Sequence, residues 1–230
     1  MSIQLRNVNT SYRLKRLKLF SEFLSKQPQN KKRVRILDVG GTVAYWQTYE
    51  DLWSMYPLEI TTINLKAEHS PDPRIQSVAG DACQMQQFAD REFDVVHSNS
   101  VIEHIGRWNQ MRQMAKEISR LAPAYFVQTP SAWCPIEPHF RMPFIHWLPE
   151  PVRLLAVLNF YLGFYDRAKD VDTAMQILED AVLLDMRRMR ALFPDARIIK
   201  ETLGGVLTKS YIAVRNAGEI MPDMTFQPSE

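Results

Sequence analysis

Residues 34–44, VRILDVGGTVA, decide how the chain is organised. Val34, Ile36 and Leu37 lie in an apolar, β-branched run that ends at Asp38, and Gly40 and Gly41 follow at once. AYWQTYEDLW comes next and can coil as a helix. A buried strand, a glycine turn and a helix start open an α/β sheet, in which ligands bind just beyond the carboxyl ends of the strands. Glycine lets backbone approach a ligand closely, and a carboxylate at the strand tip can hold a hydroxyl or an amine. The same residues also suit any first strand that needs a tight turn, so this stretch alone leaves both readings open.

Working outward, residues 12–24 place Leu14, Leu17, Phe20 and Leu24 at helical spacing, with Arg13, Lys15, Arg16 and Lys18 mostly on a solvated face. Residues 25–33, SKQPQNKKR, form a polar connector. On the other side, the pattern predicts a helix over 44–55 and strands over 58–65, 75–79, 93–97 and 124–128. A helix over 108–121 precedes the last of these, with Met111, Met114, Ala115 and Ile118 inward. Strands alternating with helical segments imply right-handed crossovers and a parallel sheet covered on both faces. A helix over 173–193 and two strands, 196–202 and 207–215 around Gly204 and Gly205, complete the chain as antiparallel neighbours. The expected fold is α/β, doubly wound, with a mostly parallel seven-stranded sheet, helices on both faces and a closing antiparallel hairpin. Its parts are an N-terminal helix and connector (1–33), a ligand-binding half (34–130), an insertion or lid (131–170), a helix with the closing strand pair (171–216) and a loose tail (217–230).

Residues 131–165 depart from the alternation. They are rich in proline and aromatics, and they follow the fifth strand, where an insertion lies over the strand ends. Long loops in compact domains are usually functional. Within them, Pro143, Pro149, Pro151, Glu150 and Arg153 interrupt the apolar run, leaving less than the roughly 20 residues a membrane span needs. The run predicts a buried helix or an apolar lid. With 230 residues and a net charge of +2, no strong field points to nucleic acid or an acidic membrane. Two cysteines give neither a disulfide framework nor zinc spacing, and a reducing, cytoplasmic setting is expected, with no secretory signal and no metal site.

Polar groups recur at the strand tips in order: Asp38, Asn64, Asp81, then Ser98 and Asn99. One ligand lying across them would meet Asp38 and the glycine turn with an amino-acid-like or sugar group, Asn64 with a ribose, and Asp81 with the Ala82 backbone at an adenine edge. Neither a Gly-x-x-x-x-Gly-Lys cradle nor a Gly-x-Gly-x-x-Gly turn is present, which disfavours bound nucleotide phosphates. Asp81 after glycine also fits a helix cap. Glu103 and His104 can brace the helix behind the fourth strand, and His97 reads as a core histidine. In the insertion, WCPIEPHFRMP stiffens a loop carrying Glu137 and His139. His139 is suited as a base because its reference pKa is near neutral, with Glu137 orienting it or binding substrate; a plain aromatic-proline plug is the other reading.

ILDVGGT, ITTINL, AGDACQM and FDVVHSNSVIEHI, in this order and at these separations, resemble the class I S-adenosylmethionine-dependent methyltransferases. The resemblance covers residues 34–128 through motifs and 196–215 through topology. It implies S-adenosylmethionine as cofactor, with Asp38, Gly40 and Gly41 near its methionine part and Asn64 at the ribose. Asp81 and Ala82 would then meet the adenine, and Ser98 and Asn99 would lie below the sulfonium. Asn64 replaces the usual acid, and an amide lacks charge assistance. The implied reaction is methyl transfer to a small-molecule, glycan or lipid-linked acceptor at oxygen, with peripheral membrane contact and no nucleic acid partner. A non-catalytic binding module on the same fold is the alternative.

Overall fold

In a computed structural model, the residues described are 2–27 and 33–218, with side chains from residue 12 onward. Strand β1 (Val34–Val39) is buried at all but Arg35. It lies between two parallel neighbours, β2 (Leu58–Asn64) and β4 (Val95–Asn99). Strand β3 (Ile75–Ala79) continues in parallel beyond β2, and β5 (Ala124–Pro130) beyond β4. The hairpin β6 (Arg197–Leu203) and β7 (Leu207–Arg215) closes the sheet, with β7 antiparallel to β5 and β6 at the edge. The order is β3-β2-β1-β4-β5-β7-β6. The chain runs outward from β1 in one direction, then returns to build from β4 in the other. The crevice above β1 and β4 is therefore the switch point at which such sheets bind ligands.

Both sheet faces are covered. Helix α1 (Ser2–Ser25) buries Leu17, Phe20, Phe23 and Leu24, the last three in a core with Trp46, Trp53 and Phe126. Helix α3 (Trp108–Leu121) presents Met111, Met114, Ala115, Ile118 and Leu121 to the other face, at the predicted spacing. The helix after the glycine turn is shorter than the pattern predicts. Helix α2 spans Val43–Thr48 and is followed by one 3-10 turn at Glu50–Leu52. The Trp46 carbonyl, which a continued helix would offer to the Glu50 amide, accepts from Trp53 Nε1 instead.

The single helix expected over 173–193 is two. Helices α5 (Val171–Glu179) and α6 (Met186–Leu192) are separated by an extended strap. There Val182 N donates to the Glu103 carbonyl, Ala132 N donates to the Leu184 carbonyl, and Asp185 caps α6 by accepting from Arg188 N. Helix α4 (Glu150–Asn159), between β5 and α5, buries only Val157, so the apolar run is not a buried helix. Together with Ala174 and Leu178 of α5, the insertion forms a small core of Phe140, Ile145, Val157, Leu162 and Ala168. Leu155, Phe160, Tyr161 and Phe164 face outward. Among the described residues no helix is long and apolar enough to cross a membrane. Most of the expected connector (28–32) and tail (219–230) lie outside the described residues.

Candidate active site

At the tip of β1, Asp38 is 1% exposed, and both of its oxygens are engaged by protein. His97 Nδ1 pairs with Oδ1 at 2.7 Å, and Trp46 Nε1 donates to Oδ2 at 2.7 Å. His97 is the core histidine its strand position suggested, with Phe20 and Phe126 against its ring. Gly40 has φ 75°, and a Cβ there would stand 2.4 Å from a Val101 methyl; at Gly41 it would stand 1.8 Å from Asp38 Oδ2. Asp38 thus holds the turn from beneath, and the turn tolerates no side chain on that side.

The other tip residues sit as follows. Ser98 is buried and donates from Oγ to the Val39 carbonyl at 3.0 Å. Asn99 Oδ1 accepts from Arg16 Nη1 at 2.7 Å, and the same nitrogen reaches Gln128 Oε1 at 2.7 Å. Arg16 therefore leaves the solvated face assigned to it and lies across the strand tips with a side chain 12% exposed. Asn64 Oδ1 accepts from Leu65 N. Asp81 is exposed, and its Oδ1 accepts from Cys83 N at 2.8 Å within a tight turn; no helix starts there, so it is not the helix cap its sequence also fitted, and Ala82 is half-buried beside it. Glu68 was missed by sequence reasoning. Its Oε2 accepts from the Val43 amide at 2.7 Å, in the first turn of α2, and its own amide donates to Ser77 Oγ. A carboxylate four residues past Asn64, in a turn-rich loop, was the only signal.

A second polar centre lies under the insertion, in a cavity of about 670 Å³ lined by Glu137, His139, His146, Trp147, Arg153, Tyr165 and Arg188 among others. His139 Nδ1 pairs with Glu137 Oε1 at 2.7 Å, and the other Glu137 oxygen accepts from the Phe140 amide. Burial alone would lower the His139 pKa, but the hydrogen bond and charge of Glu137 outweigh it and raise it. His104 meets the His139 ring edge-on, with centroids 4.8 Å apart, and its Nδ1 lies 2.9 Å from the Asp180 carbonyl. Glu103 is fully buried. Its Oε2 accepts from Thr129 Oγ1 at 2.9 Å, its Oε1 has no partner, and burial pushes its pKa up. Glu103 and His104 brace the strap between α5 and α6, where the sequence pattern predicts a continuous helix, and in addition they face His139.

Residues 37–123 match the family model described as a methyltransferase domain. No curated protein matches the sequence. Among solved structures, the chain resembles a protein from Pyrococcus horikoshii with a TM-score of 0.52 and 16% identity, over 90% of this chain and 91% of that one. It resembles the 1,6-didemethyltoxoflavin-N1-methyltransferase of Burkholderia thailandensis with a TM-score of 0.51 and 10% identity, over 86% and 75%. For the Haemonchus contortus phosphoethanolamine N-methyltransferase 2 the TM-score is 0.47 and the identity 16%; the match takes in 79% of this chain and spans only 38% of that one. The match to a methyltransferase domain over residues 37–123 and the strand order of the sheet agree with the resemblance to class I S-adenosylmethionine-dependent methyltransferases read from the sequence.

Proposed function

We propose that the chain transfers the methyl group of S-adenosylmethionine to a hydroxyl of an acceptor lodged beneath the 131–170 insertion. One observation carries this reading. The segment that leaves β4 packs Val101 against the Gly40 turn and, two residues later, brings a Glu103 carboxylate oxygen within 4.8 Å of a ring nitrogen of His139, which lines the cavity. Cofactor crevice and acceptor cavity thus share one short turn. Methyl transfer from a sulfonium is an in-line displacement that needs nucleophile and methyl held in contact. The Glu137–His139 pair marks where the acceptor hydroxyl is held and loses its proton.

In the crevice, Gly40, Gly41 and Asn99 would line the methionine end, with Ser98 buried behind them, Asn64 at the ribose and Asp81 and Ala82 toward the adenine. Glu68, whose carboxylate accepts from the Val43 amide at the α2 N-terminus, would supply at the ribose the charge that Asn64 lacks. On the acceptor side, Trp133, Phe144, Trp147, Leu148, Phe160 and Tyr161 are all exposed on the insertion. An aromatic and aliphatic surface of this kind suits a lipid-linked acceptor presented at a membrane interface. Incubation with methyl-labelled S-adenosylmethionine and a panel of glycolipids and free aromatic alcohols tests the reading. Label should pass into an organic-extractable ether. A protein that binds S-adenosylhomocysteine but labels no hydroxylated acceptor would overturn the oxygen assignment.

A further inference from the structure

Glu103 and His104 follow β4, and His139 comes from the insertion, so the two groups are 35 residues apart in the chain yet meet in space. One potential ligand atom from each lies within 4.8 Å of the other two. We propose that these three side chains form a binding site for one divalent transition-metal ion, beside the acceptor cavity. The inference rests on the methyltransferase reading above and says how its acceptor is activated.

Four features point to an ion rather than to bracing alone. First, Glu103 Oε1 is buried without a hydrogen-bond partner, while its sister oxygen is held by Thr129. Leaving a buried acceptor unpaired is costly, and a cation satisfies it directly. Second, Nδ1 of each histidine is already engaged, by Glu137 Oε1 in one ring and by the Asp180 carbonyl in the other. That leaves Nε2 free in both. Ligating histidines characteristically give their other ring nitrogen to a carboxylate or carbonyl, which fixes tautomer and ring orientation.

Third, the two rings meet edge-on without a hydrogen bond between them. Ligands on a zinc-sized ion at bond lengths of about 2.0–2.2 Å stand roughly 3.3 Å apart. An inward shift of about an ångström by these side chains therefore closes the site. Fourth, two imidazoles and one carboxylate select zinc, manganese or iron over magnesium, which prefers an all-oxygen shell. Such a three-ligand set keeps positions open for a substrate oxygen.

Because His139 lines the cavity, the open positions face the acceptor. The ion acts as a Lewis acid on the acceptor hydroxyl. The O–H bond breaks with its proton leaving to water, the oxygen–carbon bond forms as the sulfur–carbon bond breaks, and S-adenosylhomocysteine departs. No oxidant or reductant enters. In this arrangement His139 holds the ion, and Glu137 is a positioning residue that orients His139. Because the three ligands come from two separated stretches, no single sequence motif announces the site.

The test is calorimetric titration of the chelator-stripped full chain with Zn²⁺, Mn²⁺ and Mg²⁺, followed by S-adenosylhomocysteine. One equivalent of Zn²⁺ or Mn²⁺ should bind saturably, with Mg²⁺ much weaker. Glu137→Gln should weaken the ion by about 10- to 100-fold, as loss of an outer partner does. Glu103→Gln, His104→Ala and His139→Ala should each weaken it more than that. His104 is partly exposed, so its variant keeps the result readable if Glu103→Gln does not fold. Ion binding that is absent, or unchanged in both histidine variants, while S-adenosylhomocysteine still binds, overturns the metal site alone. Loss of S-adenosylhomocysteine binding from a folded wild-type chain would instead overturn the methyltransferase reading.

Discussion

Removing the Asp38 carboxylate should damage the fold before it damages the chemistry. Asp38→Ala strands two buried donors, Trp46 Nε1 and His97 Nδ1, each 2.7 Å from a carboxylate oxygen. Each stranded group costs about 1–3 kcal/mol, so the variant should lose about 2–6 kcal/mol. For a domain of this size that lowers the melting temperature by roughly 4–24 °C, out of a total stability of about 5–15 kcal/mol. Asp38→Asn is the discriminating control. Its amide oxygen can still accept from Trp46, and its NH₂ can donate to His97 Nδ1 once the ring carries its proton on Nε2. Only charge assistance is lost, about 1–2 kcal/mol. Urea unfolding followed by tryptophan fluorescence and circular dichroism measures both. An Asp38→Ala protein within about 1 kcal/mol of wild type, or an Asn variant as damaged as the Ala variant, would refute this account of the β1 tip.

Three further outcomes follow from the same geometry. Gly41→Ala places a Cβ against Asp38 Oδ2 and should abolish S-adenosylhomocysteine binding in calorimetry even where circular dichroism shows a folded chain. Glu68→Ala removes an exposed carboxylate from the α2 N-terminus; it should weaken S-adenosylhomocysteine binding several-fold while moving the melting temperature little, as exposed substitutions usually do. For Asp195, burial alone would raise the pKa, but the Tyr125 hydroxyl and the Arg215 guanidinium hold it below the ordinary carboxylate value. A depressed carboxylate stabilises the fold above its unfolded pKa, about 3.9, and that contribution is lost as the pH falls through its lower folded value. Acid unfolding curves should therefore show a shallower loss below pH ~4 in Asp195→Asn than in wild type.

The fold was legible because its signals are local and repeated. β3 spans Ile75–Ala79 and α3 spans Trp108–Leu121, as their alternation and helical spacing predicted. The closing strand pair was equally clear from the glycines between its strands. What sequence alone could not show were contacts between distant segments. Arg16 reads as one more base on a charged helix, yet it crosses to Asn99 and Gln128. The break between α5 and α6 is imposed by bonds to Glu103 and Ala132, which no periodicity within 173–193 reveals. At the site, the order of tip residues from Asp38 to Asn99 was readable, but the inward turn of Asp38 and the contact of Asp81 with the Cys83 amide in a non-helical turn were not, because a carboxylate's partners depend on packing. Glu137 and His139 were close enough in sequence to be paired; Glu103 and His104 joined them only through the insertion's fold.

The central claim is that the crevice above β1 and β4 holds S-adenosylmethionine, and isothermal titration of the wild-type chain with S-adenosylhomocysteine tests it most directly. The account predicts one saturable site per chain, competed by S-adenosylmethionine and lost in Gly41→Ala. A well-folded chain that binds neither compound, with or without an added divalent ion, would contradict it.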